Sequence, residues 1–118
     1  MTILVTGGAG FLGRVVCNRL REHDVAHIFV PRSADYDLTR REDVVAMFTV
    51  AKPEVVIHLA AEVGGIGANQ HRSGRFFYAN MAMGLHVIEE ARKWGTEKFV
   101  QVATVCGYPK HCEVPFRE

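Results

Sequence analysis

Short apolar runs alternate along this chain with longer stretches in which apolar residues return every three or four positions. The runs are Ile3-Leu4-Val5, Ala26-His27-Ile28-Phe29-Val30, Val55-Val56-Ile57-His58-Leu59-Ala60-Ala61 and Lys98-Phe99-Val100-Gln101-Val102-Ala103. Their length and near-continuous apolarity predict parallel strands, the third buried on both faces. Gly13, Val16, Cys17 and Leu20 then mark one face of a helix ending near His23-Asp24. Val44, Met47, Phe48 and Ala51 mark a second, with Thr39 and Glu42 placed as a capping box and Pro53 beyond its end. A long helix is expected over residues 74–94, closed by Gly95. It carries two apolar stripes, Phe77, Met81, Leu85 and Ile88 on one and Phe76, Met83 and Val87 on the other. One stripe covers the sheet, and the other needs a second partner. Strands alternating with helices predict an α/β fold, a doubly wound parallel sheet with helices on both faces.

The first strand runs directly into Thr6-Gly7-Gly8-Ala9-Gly10-Phe11-Leu12-Gly13, so the glycines lie on a strand-to-helix turn. Gly7 allows a tight turn, Gly10 a close approach of backbone to a phosphate, and Gly13 close packing of helix on strand. The helix N-terminus, with unpaired N–H groups and a positive dipole end, then faces a pyrophosphate. This predicts a Rossmann-like dinucleotide site; a glycine-rich turn without a ligand is the plain alternative. In NAD-binding units an acidic residue closes the second strand to hold the ribose hydroxyls, whereas NADP sites place an arginine nearby. Here Pro31 stops the strand, Arg32-Ser33 follow, and the first acids are Asp35 and Asp37. NADP is therefore expected, with NAD possible and Arg32 on the 2′-phosphate; otherwise Arg32 is a solvated loop residue. Ala60 and Ala61 close the third strand, where small residues let backbone lie against a flat cofactor. His58, inside that strand, reads as a satisfied core histidine.

Composition narrows the partners. The 118 residues are 48% hydrophobic and 23% charged, as in one globular domain able to bury roughly two thirds of its unfolded surface. With a formal net charge of +1 and no basic patch, neither nucleic acid nor a membrane surface is expected as a partner. No apolar run reaches the length of a membrane span. Cys17, Cys106 and Cys112 form no disulfide-like framework, so a reducing cytoplasm is expected. Cys106, His111 and Cys112 lack a second ligand pair, and no metal site is expected.

Thr6 to Gly13 resembles the glycine block of the extended short-chain dehydrogenase/reductases, many of which act on nucleotide sugars. Ala60-Ala61-x-Val63-Gly64-Gly65-Ile66-x-Ala68-Asn69, Phe76-x-x-x-Asn80 and Cys106-Gly107-Tyr108-Pro109-Lys110 are similar to the GDP-L-fucose synthase branch of that family. The matches span Thr6 to Lys110. The resemblance implies strand order 2-1-3-4 and an NADPH-dependent epimerase-reductase acting on a GDP-4-keto-6-deoxyhexose. It implies cofactor contacts at Gly7, Gly10, Phe11, Leu12, Gly13, Arg32, Asp37, Leu38, Leu59, Ala60, Ala61, Val63 and Asn80, with Gly64 and Gly65 toward the substrate. Asp37 is expected at the adenine, or else as a cap or solvated side chain; Asn80 bonds backbone near the nicotinamide side, or a local carbonyl.

For catalysis the resemblance implies Thr104, four residues before Tyr108, as the group bonding the oxygen at sugar C4. It implies Cys106 as the acid/base. Protons beside a ketone are acidified because the carbanion delocalises as an enolate, and a thiol titrating near neutrality can exchange them. A small buried hydrophobe is the bland reading of Cys106. The long helix is implied to join a four-helix homodimer interface. Two departures stand out: Arg72-Ser73-Gly74 lacks an expected proline, and Val105 stands in place of a second hydroxyl residue. They leave open an NDP-sugar 4-epimerase or dehydratase with bound NAD. The family's Tyr-x-x-x-Lys pair is also missing, since Arg40, Ala82 and Cys112 lie four residues past Tyr36, Tyr78 and Tyr108. Residues 1–118 are therefore expected to be the N-terminal NAD(P)-binding domain of a longer enzyme, inactive without its substrate-binding half. A non-catalytic dinucleotide-binding or interaction fragment is the remaining alternative.

Overall fold

The apolar runs pair as a parallel sheet because helices cover both of its faces. The computed structural model describes residues 1–117. The strands are β1 (Thr2–Thr6), β2 (His27–Phe29), β3 (Val55–His58) and β4 (Lys98–Gln101), in the order β2-β1-β3-β4. All neighbours are parallel; Thr6 lies opposite His58, and His58 opposite Gln101. The helices are α1 (Phe11–Glu22), α2 (Arg41–Ala51), α3 (Ile66–His71) and α4 (Ser73–Trp94), and a 3-10 turn spans Val105–Gly107. Along β1 the side chains alternate between two cores. Ile3 and Val5 pack with Cys17 of α1. Leu4 packs with Val44, Met47 and Phe48 of α2 and Met83, Val87 and Ala91 of α4.

The face expected for α2 is buried throughout, and Gly95 closes α4 in the left-handed conformation at φ 69°. Of the two α4 stripes, Met83 and Val87 cover the sheet. Phe77, Met81, Leu85 and Ile88 remain 69%, 48%, 59% and 50% exposed, which leaves that face without a partner among the described residues.

Several local expectations need correction. The third strand ends at His58, not Ala61, because β1 turns away after Thr6 and offers no further ladder. Val55 and Ile57 are only half-buried, against the expectation of full burial on both faces. The second and fourth strands are likewise shorter than their apolar runs. Glu62 to Asn69 reads as a loop in sequence, yet Ile66–His71 form a helix. Asn69 ties down its start by donating from Nδ2 to the carbonyls of Gly64 and Gly65 at 2.8 and 3.0 Å. The capping box is also not formed. Arg40 is the N-cap of α2, and Thr39 gives its hydroxyl to Asp37 Oδ1 at 2.6 Å, a charge-assisted bond.

Candidate functional site

β1 and β3 end side by side at the C-terminal edge of the sheet, the edge where open α/β sheets place ligands. Gly7 turns the chain there at φ 69°, and a Cβ at this position would lie 2.8 Å from Ala60 N. Only glycine combines that dihedral with so close a neighbour. Gly13, in the first turn of α1, rests on the backbone of Gly7 and Gly8, where a Cβ would overlap the Gly7 carbonyl oxygen. The turn and the helix start are thereby locked together. Gly10 is the N-cap, and among the described residues no side chain caps α1. The first-turn N–H groups of α1 therefore open onto the edge without a side-chain competitor.

A cavity of about 770 Å³ lies over this edge. Gly7 and Gly10 to Gly13 form one wall, Arg32 and the Tyr36–Thr39 segment a second, and Leu59 to Val63 a third. Arg75 and Met83 contribute from α4.

One buried hydrogen bond and several part-buried ones hold the third wall. The Thr6 hydroxyl accepts from the N–H groups of Leu59 at 3.2 Å and Ala60 at 3.3 Å. With both acceptor sites used, its proton goes to His58 Nδ1, 2.6 Å away. His58 is thus neutral with its proton on Nε2, and burial pushes its pKa below the ordinary histidine value. It is a core histidine, as expected. Asn80 brackets Glu62, its Oδ1 accepting from the Glu62 N–H at 2.8 Å and its Nδ2 donating to the Glu62 carbonyl at 2.9 Å. On the second wall, the side-chain and backbone bonds from Thr39 lower the Asp37 pKa. His86 of α4 lies 3.2 Å from the Leu38 carbonyl. Opposite, the Arg75 guanidinium pairs with Glu62 and lowers its carboxyl pKa.

Of the residues singled out in sequence, Gly7, Gly10, Phe11, Leu12, Gly13, Arg32, Asp37, Leu38, Leu59, Ala60, Ala61 and Val63 line this single cavity. Asn80 stands behind the wall and acts through Glu62. Gly64 and Gly65 lie outside the lining, with their carbonyls bonded to Asn69. Thr104 and Cys106 are exposed at and before the turn after β4, also outside the lining, with the Cys106 N–H donating to Thr104 Oγ1 at 3.2 Å. Sequence reasoning did not name Ala9, Pro31, Ser33, Tyr36, Thr39, Glu62, Arg75 or Met83 for this cavity. The α4 periodicity singles out Met83 as core, but no spacing rule pairs Glu62 with Arg75.

A family model for the NAD dependent epimerase/dehydratase family matches residues 3–118. The chain is similar to the GDP-L-fucose synthase of Sinorhizobium fredii, 38% identical over 98% of this chain and 37% of that protein. To GDP-L-fucose synthase 1 of Arabidopsis thaliana it is 34% identical, over 98% of this chain and 36% of that protein. A solved GDP-L-fucose synthetase from Naegleria fowleri bound to NADP superposes with a TM-score of 0.84 at 27% identity, over 98% of this chain and 34% of that one. The chain spans little more than a third of the length of the curated relatives it matches.

Proposed function

The chain belongs to the NAD dependent epimerase/dehydratase family, and from that premise we propose that it is the NADP-binding N-terminal part of a nucleotide-sugar epimerase-reductase of the GDP-L-fucose synthase kind. The observation that carries this reading is the glycine cradle. A Cβ would fill it at Gly7 and Gly13, and the uncapped start of α1 opens from it onto a cavity with Arg32 on its rim. These residues suit a pyrophosphate and a 2′-phosphate. When bound, the dinucleotide supplies or accepts hydride. First-turn N–H groups of α1 would hold the pyrophosphate, Arg32 the 2′-phosphate, and Asp37 and Leu38 the adenine. Leu59, Ala60, Ala61 and Val63 would supply the wall on the other side of the cofactor. Asn80 keeps Glu62 in place, and the Gly64-Gly65 loop leads toward the sugar. Thr104 hydrogen-bonds the oxygen at sugar C4, while Cys106 exchanges the proton beside the keto group through an enolate. Domain 1–118 supplies these groups, and the parent's remaining length supplies the substrate-binding half.

Calorimetric titration with NADPH and NADH tests the cofactor assignment. NADPH is expected to bind at least about ten-fold more tightly, since a charge-assisted bond to the extra phosphate contributes about 1.5–3 kcal/mol. Arg32→Asp should abolish or invert that preference. Equal affinities in the unsubstituted chain would remove the NADP assignment.

The same reading makes the exposed stripe of α4 a homodimer face. Sedimentation should show a dimer for the native sequence and a monomer for Leu85→Asp, which places a charge in the middle of that stripe. Monomers in both cases would refute it.

A further inference from the structure

Arg75 lines the cavity. It sits in the first turn of α4 and donates to Glu62 in a fork, Nε to Oε2 at 3.1 Å and Nη2 to Oε1 at 2.6 Å. Asn80 bonds the Glu62 backbone on both sides and so anchors the base of that carboxylate side chain. The fork sets the guanidinium coplanar with the Glu62 carboxylate, and the Arg75 side chain is 55% exposed.

The surroundings define what such a plane can receive. Two carboxylates, Glu62 and Asp37, line this part of the cavity, and Asp37 is close enough for its charge to act on Arg75. Pairing with Glu62 cancels most of the attraction Arg75 would offer to an anion, and the second carboxylate repels one. A phosphate is therefore better placed at the uncapped start of α1. Leu38, Val63 and Met83, which line the same cavity, supply apolar surface. A planar cation whose charge is paired, in a cavity that also offers apolar side chains, is suited to stack on a flat, uncharged aromatic ring.

Building on the dinucleotide reading, we infer that Arg75, held flat by Glu62, is the stacking wall for the adenine ring of the cofactor and sets the affinity for that base. Glu62 is the positioning residue that orients it.

Calorimetry with NADPH, adenosine 2′,5′-bisphosphate and inorganic pyrophosphate on the chain and on Arg75→Gln, Arg75→Lys and Glu62→Gln tests this, with thermal melts run alongside. Both Arg75 variants should weaken the two adenine ligands about ten-fold and leave pyrophosphate unchanged, because lysine keeps the charge but lacks the plane. Glu62→Gln should weaken them less, since the guanidinium remains. Should Arg75→Gln fail to melt like the native chain, Arg75→Lys carries the test. Unchanged adenine affinity, full rescue by lysine, or an equal loss for pyrophosphate would overturn the stacking role and leave the dinucleotide site standing. A native chain that binds no NADPH would overturn the dinucleotide reading itself, and this inference with it.

Discussion

Gly13→Ala should destabilise the chain by about 3 kcal/mol or more and lower its melting midpoint by roughly 10–20 °C. The added methyl would overlap the Gly7 carbonyl oxygen and lie 2.5 Å from Gly8 Cα and 2.7 Å from Gly8 C. Every atom it meets is backbone, so no rotamer change relieves the overlap, and α1 must lift from the turn. Lifting α1 also moves its first-turn N–H groups off the sheet edge, so dinucleotide affinity should fall with stability. A thermal melt by circular dichroism reads the first effect, and NADPH titration below the variant's transition reads the second. Gly67→Ala is the matched control. A methyl there meets nothing within 4 Å, and the position lies inside α3, away from the exposed stripe of α4. It should be neutral or stabilising by up to about 1 kcal/mol. Equal stability of Gly13→Ala and the native chain would disprove the locking of turn and helix.

Thr6→Val should cost about 2–6 kcal/mol although the two side chains have nearly the same shape. Losing the hydroxyl leaves the part-buried Ala60 N–H and the buried His58 Nδ1 without their partner, at about 1–3 kcal/mol for each group. The Leu59 N–H keeps its bond to the Thr6 carbonyl at 3.1 Å and does not add to the loss. Denaturant unfolding at pH 8 measures the cost, and a value within error of zero would remove the hydroxyl from the account.

The same network predicts an acid response. His58 has its folded pKa below the unfolded value of about 6.5, because burial disfavours its charged form. The unfolded chain therefore binds the proton more readily. Stability should be level with respect to this group above about pH 6.5 and fall as the pH drops from there toward the folded pKa. Asp37 and Glu62, whose carboxyl pKa values are also lowered, act only at more acidic pH, near and below the ordinary carboxylate range. A melting midpoint unchanged between pH 7 and pH 5 would contradict the neutral, hydroxyl-bonded His58.

Local physics was legible in the residues. Gly7, Gly10 and Gly13 announce a turn, an approach and a packing contact because each requirement is steric and acts over a few bonds. The face Val44, Met47, Phe48 and Ala51 shows in sequence because helical periodicity is local, and all of these residues are buried. Strand order and the twelve cavity-lining positions named from sequence follow from the strand–glycine–helix beginning together with the family resemblance.

Long-range pairing decided the rest. Apolar residues continue to Ala61, but the strand stops at His58 because its partner strand has turned away at Gly7. Two stripes on α4 are equally apolar in sequence, and only packing against β1 and α2 selects Met83 and Val87 for the core. Thr39 sits at capping-box spacing, yet a carboxylate two residues away competes more strongly for its hydroxyl. Glu62 and Arg75 are 13 residues apart and meet because Asn80 holds the loop after β3 against α4. Sequence alone determined what each segment can form, since sterics and periodicity are properties of neighbours along the chain. Tertiary structure decided where strands stop, which faces are covered and which charges meet, since those depend on groups that folding brings together.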